Sequence, residues 1–205
     1  MDGETTLRDM LNRAYNNTAY DVQLRMQSAD THEEILKQLE RALALAIGHL
    51  VKNRKYKQNQ AEDALTTDIV SMLNMNGIPA NHDVKIGGHT DISVEMRDGF
   101  LWIGEAKNWT GKAWIFKGFR QLMTRYATGL PGQNNGAILI YFEQEKPSTL
   151  MRKWRTSLGK LTELTSDLVE VNELQFNSAH PHKGTGRTFN VKHYGVPLYW
   201  NPEDG

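Results

Sequence analysis

The sequence predicts an α/β fold organised around one crossover connection, and three observations carry that expectation. Apolar residues recur at helical spacing over 60–76 and stop at Asn76-Gly77, with Pro79 just beyond. Three short β-like runs follow, at 83–86, 90–95 and 100–104. After another helical stretch comes the unbroken apolar run Gly-Ala-Ile-Leu-Ile-Tyr-Phe at 136–142. A stripe with the 3.6-residue period is one face of a packed helix, whereas a continuous apolar run marks a strand covered on both faces. The order helix, three strands, helix, strand then requires a crossover helix.

Each element has its own local reason. The first thirty residues are polar and rich in Asn (Asn12, Asn16, Asn17), and read as a loosely packed helical arm. Asp30 or Thr31 can cap the next helix, with Glu33 or Glu34 completing a capping box. Over 31–51, Ile35, Leu39, Leu43, Ile47 and Leu50 form a stripe that Leu36, Ala42, Leu45 and Ala46 widen. A helix this apolar is expected to be buried or shared with a second copy, so a homodimer through 31–51 is an expectation. Its basic end (Lys52, Arg54, Lys55, Lys57) suits a helix C-terminus. The turn Arg97-Asp98-Gly99 joins the second and third strands. Residues 114–128 read as helix closed by Gly129 and Pro131, and 150–165 as a further helix. Short strands are expected near 168–176 and 188–193.

Composition narrows the function classes. The chain has 205 residues, 24 Lys+Arg against 24 Asp+Glu, and no cysteine. A disulfide scaffold, a catalytic thiol, an iron–sulfur cluster and a thiolate zinc finger are excluded. The longest apolar stretch, within 42–51, is far short of the roughly 18 residues of a membrane span. The opening Met-Asp-Gly-Glu-Thr-Thr shows no secretory signal, so a cytoplasmic protein without a membrane partner is expected.

The chemistry centres on Glu105-Ala106-Lys107, at the end of the third strand. An acid-x-Lys triplet alone says little, and Asp83-Val84-Lys85 is a second one. The first gains weight from Asp91, at the start of the preceding strand in Gly88-His89-Thr90-Asp91-Ile92. In a tight hairpin the start of one strand lies beside the end of the next, so Asp91 and Glu105 can converge. Two carboxylates and an adjacent backbone carbonyl make a hard-oxygen site suited to Mg²⁺. Lys107 points to the same sheet face as Glu105, where it can orient or deprotonate a metal-bound water. Stepping back along the 60–76 helix from Leu73 through Ile69 and Leu65 reaches Glu62, a charge on the inward face; Asp63 falls on the polar side.

Glu62 on a helix, then Gly-x-Thr-Asp91-Ile, then Ile-Gly-Glu105-Ala-Lys107 on a strand, resembles the PD-(D/E)XK nuclease superfamily, the restriction-endonuclease-like fold. The resemblance covers roughly 60–142, under half of the chain, and Thr90 stands where the family name has Pro. It implies a helical N-terminal extension over 1–57, a nuclease core over 58–143, and a C-terminal helix with short strands over 144–205 completing the same domain. It also implies Mg²⁺-dependent hydrolysis of phosphodiester bonds in DNA, with Mn²⁺ able to substitute and RNA an open alternative. Asp91, Glu105 and the Ala106 carbonyl would hold the metal with Glu62, and Lys107 would attend the water. RecB-like branches of the superfamily carry Gln and then Tyr in the following helix. Gln121 and Tyr126 match them, at an interval of five that would splay the two side chains around a regular helix.

The alternatives from other classes are a catalytically inactive nucleic-acid-binding or assembly module on the same fold, and a nuclease subunit targeted by a partner protein. His180-x-His182 with His193 lacks an evident fourth ligand and reads as polar loop rather than zinc site. Lys183-Gly-Thr-Gly-Arg187 lacks P-loop spacing and reads as a flexible turn with DNA-facing charge. Trp102 reads as core, while Trp109 and Trp114 flank the loop into the next helix, where either packing or base stacking is open. The neutral total hides segregation. Windows 51–60, 106–130 and 177–200 hold twelve basic residues and no acid. In the middle window Lys112, Lys117, Arg120 and Arg125 form a candidate track for a phosphate backbone.

Overall fold

The computed structural model describes Thr6, Asp9 and residues 18–204. Most of the expected N-terminal arm lies outside the described residues. Its described part contributes α1 (Thr18–Gln27), followed by α2 (His32–Lys52), the short α3 (Arg54–Lys57) and α4 (Glu62–Met75). Then come β1 (Ala80–Lys85), β2 (His89–Met96), β3 (Phe100–Asn108), α5 (Lys112–Gln121) and β4 (Asn135–Phe142). The chain ends with α6 (Pro147–Leu161), β5 (Val169–Asn172), β6 (Gln175–Pro181) and β7 (Thr188–Pro197).

The strands form one mixed sheet in the order β1-β2-β3-β4-β7-β6-β5. β3, β4 and β7 run parallel, and the pairs toward both edges are antiparallel. Side chains alternate between two apolar layers, as the strand period of two requires. Ala137, Leu139 and Tyr141 of β4 pack with α1, α2 and α4, whereas Ile138, Ile140 and Phe142 pack with α5 and α6. The result is an α/β/α sandwich whose central strand is buried along nearly its whole length.

Several expectations change in detail. Thr31 is the cap of α2: its hydroxyl accepts from the Glu34 amide, and the Glu34 carboxylate accepts from the Thr31 amide. The apolar stripe of α2 is spent inside the chain, with Ile35, Leu39, Ala42 and Leu43 at most 1% exposed. No residue of α2 is among the exposed large hydrophobics, while Leu36, Leu45, Ile47 and Val51 are partly buried against the same core.

β3 runs four residues past its expected end because β4 supports it as far as Asn108, opposite Tyr141. The region expected to hold two short strands holds three. β7 inserts beside β4, and β6 and β5 extend the same sheet to its far edge. The expected 114–128 helix starts at Lys112 and stops being α-helical at Gln121, where Leu122–Tyr126 form a π turn. Among the described residues, no helix is long and apolar enough to cross a membrane.

Candidate active site

The site lies where β2 and β3 part. Their ladder runs from Met96↔Phe100 to Ile92↔Gly104 and stops there. Beyond Gly104, β3 keeps β4 on one side and loses its partner on the other, leaving alternate amides on the open edge without acceptors. Two carboxylates supply them. Asp91 Oδ2 accepts from the Ala106 amide at 2.7 Å, and Glu62 Oε2 from the Asn108 amide at 2.6 Å. The cost of leaving a backbone N–H unpaired thus fixes both acids in place. Glu62 is the first residue of α4, where the positive end of the helix dipole favours its charge. The same turn is anchored by Thr66, whose hydroxyl bonds the Glu62 carbonyl at 2.8 Å and the buried Tyr141 hydroxyl at 3.1 Å. Asp63, the competing acid, is exposed.

Glu105 and Lys107 project, with Asp91, to the sheet face covered by α5. Gly118 makes room for them: a Cβ there would lie 3.0 Å from Lys107 Cγ and 3.3 Å from Glu105 Cγ. The Lys107 ammonium is the convergence point of the site. Its Nζ lies 2.7 Å from the Ala106 carbonyl and 2.8 Å from Glu105 Oε1. Glu62 Oε1 is 3.2 Å away and Asp91 Oδ2 3.4 Å.

Glu105 is 1% exposed, and its Oε2 has no hydrogen-bond partner among the described residues. Burial first, and then the Asp91 charge, push its carboxyl up from 4.5 to about 7 against the pull of Lys107. Burial alone would lower Lys107, but Glu105, Asp91 and Glu62 together hold it above the ordinary lysine range. Lys107 is therefore an ammonium at neutral pH. In that form it can orient and donate to a water.

Gln121 and Tyr126 do not splay apart. The Ala127 amide bonds the Leu122 carbonyl, five residues back, at 2.9 Å. This π turn absorbs the extra residue and brings Gln121 Nε2 to 3.5 Å from the Tyr126 hydroxyl. Burial, and then the nearby Glu105 charge, raise the Tyr126 phenol. The β1–β2 turn docks on this segment. Gly87 has φ +65°, and a Cβ on it would sit 2.0 Å from the Arg125 carbonyl oxygen; one on Gly88 would sit 2.8 Å from the Tyr126 ring. Gly118, Gly87, Tyr126 and Thr66 are the members of the site's surroundings that sequence reasoning passed over or left in doubt.

The other candidates sort cleanly. Asp83 pairs with His89 at 2.7 Å on an exposed hairpin, away from the carboxylate fork. Lys117, Arg120 and Arg125 line one groove with Gln121, while Lys112 lies on the other side with Arg152, Lys153 and Lys160. Trp109 packs on Phe142 at 5.3 Å; Trp114 is 40% exposed beneath the Lys117 ammonium at 4.7 Å.

The polar-loop reading of the histidines is corrected for two of the three. His180 and His193 lie on neighbouring strands, 3% and 0% exposed. Trp154 Nε1–H donates to His193 Nδ1 at 3.2 Å, His193 Nε2–H to Ser178 Oγ at 2.9 Å, and the Ser178 hydroxyl to His180 Nε2 at 2.8 Å. His180 Nδ1–H then donates to the Glu163 carbonyl at 2.9 Å. Every polar atom of both rings is satisfied in the neutral form, and burial lowers both imidazoles. His182 bonds Thr185 and the Ala127 carbonyl instead.

No family model, no curated protein and no solved structure matches this chain. Among the described residues, no three His, Cys, Asp or Glu groups are spaced to cage a metal. The acids of the fork are splayed around the lysine ammonium. Their donor chemistry is nonetheless that of a hard divalent cation site: three carboxylates and the Ala106 carbonyl surround the Lys107 ammonium within 3.4 Å, and Glu105 keeps one buried oxygen unused.

Proposed function

We propose that this chain is a metal-dependent endonuclease that hydrolyses phosphodiester bonds in DNA, built on a restriction-endonuclease-like core. The observation that carries the proposal is the convergence of Glu62, Asp91, Glu105 and the Ala106 carbonyl on one point at the fork of β2 and β3, with Lys107 among them. The order α4, β1-β2-β3, α5, β4 supports the core assignment. Asp91, Glu105 and the Ala106 carbonyl, with Glu62, are the groups to hold Mg²⁺, or Mn²⁺ in its place. A bound divalent cation supplies Lewis-acid stabilisation of the phosphoryl charge and a nucleophilic water at neutral pH. The chain's own contribution is position. The Asp91 and Glu62 carboxylates are pre-set by the β3 amides, the Lys107 ammonium orients the attacking water and donates to the phosphoryl oxygens, and Gln121 with Tyr126 closes the flank.

One observation favours a second reading, a nucleic-acid-binding module without catalysis. The Lys107 ammonium already satisfies the carboxylates, as it would in a purely structural ion cluster. A cleavage panel separates the two. Supercoiled, linear, branched and single-stranded DNA, and RNA, are incubated with Mg²⁺ or Mn²⁺ and with EDTA. Cutting of at least one DNA form that EDTA stops is the expected result. Binding without any cutting would establish the second reading.

The α5 glycine provides a graded test. Gly118→Ala presses a methyl group on the Lys107 and Glu105 stems, and a displacement of this kind is expected to lower cleavage about tenfold. Stability should change little, because alanine is better in a helix by about 1 kcal/mol and that gain offsets the crowding. Single-turnover cleavage and urea unfolding of the same preparation check both halves. An unaltered cleavage rate would show that the placement of Lys107 and Glu105 is immaterial.

A further inference from the structure

Two grooves on the outer side of the sandwich meet over α5. The first, of about 320 Å³, is lined by Lys117, Arg120, Gln121 and Arg125, with Phe116 and Thr124. The second, of about 360 Å³, continues from the shared wall of Phe116, Arg120 and Thr124 to Leu161, Thr162 and Lys183. One end lies beside the candidate active site: Gln121, in the groove lining, bonds Tyr126, and Gly118 one turn earlier on α5 faces the Lys107 and Glu105 stems. The other end lies at the turn after β6, where Lys183 is exposed.

The lining has two chemistries interleaved. Lys117, Arg120, Arg125 and Lys183 are exposed, and none forms an ion pair with a described carboxylate. Between them the floor is apolar: Phe116, stacked on Phe119 at 6.1 Å, and Met123 are half-buried, and Leu161 is 56% exposed. Glu163 is the single acid of the lining. A duplex turns its bases inward and offers a surface of this kind only phosphates, which the cations alone would satisfy. An apolar floor between cations is matched by a strand whose bases are unpaired and free to lie on it.

We propose that this groove holds a single strand of nucleic acid leading away from the active site, with phosphates on Lys117, Arg120, Arg125 and Lys183 and bases on Phe116 and Leu161. The substrate class is then DNA with unpaired bases next to the cut: single strands, flaps or loops. The proposal rests on the nuclease reading for its direction, but its test does not need cleavage.

Fluorescence anisotropy in EDTA compares a labelled oligo(dT) of about twelve nucleotides with a duplex of equal length. The single strand is expected to bind the more tightly. Lys183→Glu and Phe116→Leu are each expected to weaken its binding about tenfold. Lys37→Glu, the same charge change on the far side of the molecule, is expected to leave binding unaltered. Lys183→Glu alters only an exposed side chain, so it stays informative if Phe116→Leu perturbs the fold. Equal affinity for the duplex, absence of binding, or wild-type binding by both groove variants overturns the groove. Loss of single-strand binding in these variants without cleavage by any form of the protein leaves the groove standing and removes the nuclease reading. Cleavage that is indifferent to both substitutions does the reverse.

Discussion

Replacing Lys107 with methionine is expected to destabilise the metal-free fold by about 3–5 kcal/mol near pH 8, and by clearly less near pH 5.5. The ammonium is 7% exposed and lies among three carboxylates, so its removal leaves like charges facing one another without a counterion. The pH dependence follows from Glu105. Its carboxyl ionises at 4.5 ordinarily and at about 7 in the folded chain, so between these values the folded state binds more protons than the unfolded one. Stability from this group is therefore greatest in acid and declines as the pH rises from about 4.5 through 7.

Lys107 is what holds Glu105 down to about 7, so its loss costs least where wild-type Glu105 already carries its proton and progressively more as the pH rises past about 7. Glu105→Gln removes the titrating carboxyl and is expected to flatten this slope. The buried imidazoles act oppositely. Neutral in the fold, they weaken it as the pH falls below about 6.5. The comparison is accordingly made between variant and wild type at each pH, by urea unfolding in EDTA. A Lys107→Met cost that is the same at both pH values, or that grows in acid, would contradict the electrostatic account.

What could be read beforehand follows from how local each signal is. The helix bearing Glu62, the strands bearing Asp91 and Glu105, and the buried run at 136–142 are governed by periodicity and turns, which a linear reading captures. Choosing Glu62 over Asp63 needed only the helical interval back from Leu65, and the structure turns Glu62 to the fork and Asp63 to solvent.

The C-terminal half was less legible because its burial is tertiary. His193 reads as polar until Ser178 and Trp154, 15 and 39 residues away in sequence, supply its two hydrogen bonds. β6 hides for the same reason: Asn177, Ser178 and His180 interrupt its apolar run, yet the Ser178 hydroxyl and His180 Nε2 bond each other at 2.8 Å inside the fold. The five-residue interval from Gln121 to Tyr126 was visible, but its consequence depended on a π turn pressed against Gly87 and Gly88, which no periodicity encodes.

Asp91→Ala and Glu105→Ala are each expected to reduce metal-dependent cleavage by about a thousandfold or more, to the limit of detection. Asp91→Ala should also cost about 1–3 kcal/mol of stability, because the Ala106 amide loses its acceptor. Glu105→Ala removes a carboxyl that the fold holds at an unfavourable charge, so its loss of activity comes without comparable unfolding. Unequal effects on stability with the same effect on cleavage would separate the chemistry of the site from the integrity of the fold.

The most direct measurement is Mn²⁺-dependent cleavage of circular single-stranded DNA by wild-type protein and by Glu105→Ala, side by side and with EDTA controls. Cutting by the wild type that disappears in EDTA, and that is absent from a folded Glu105→Ala protein, is the result the account requires. Equal cutting by the two proteins, or none by the wild type on any nucleic acid, would contradict it.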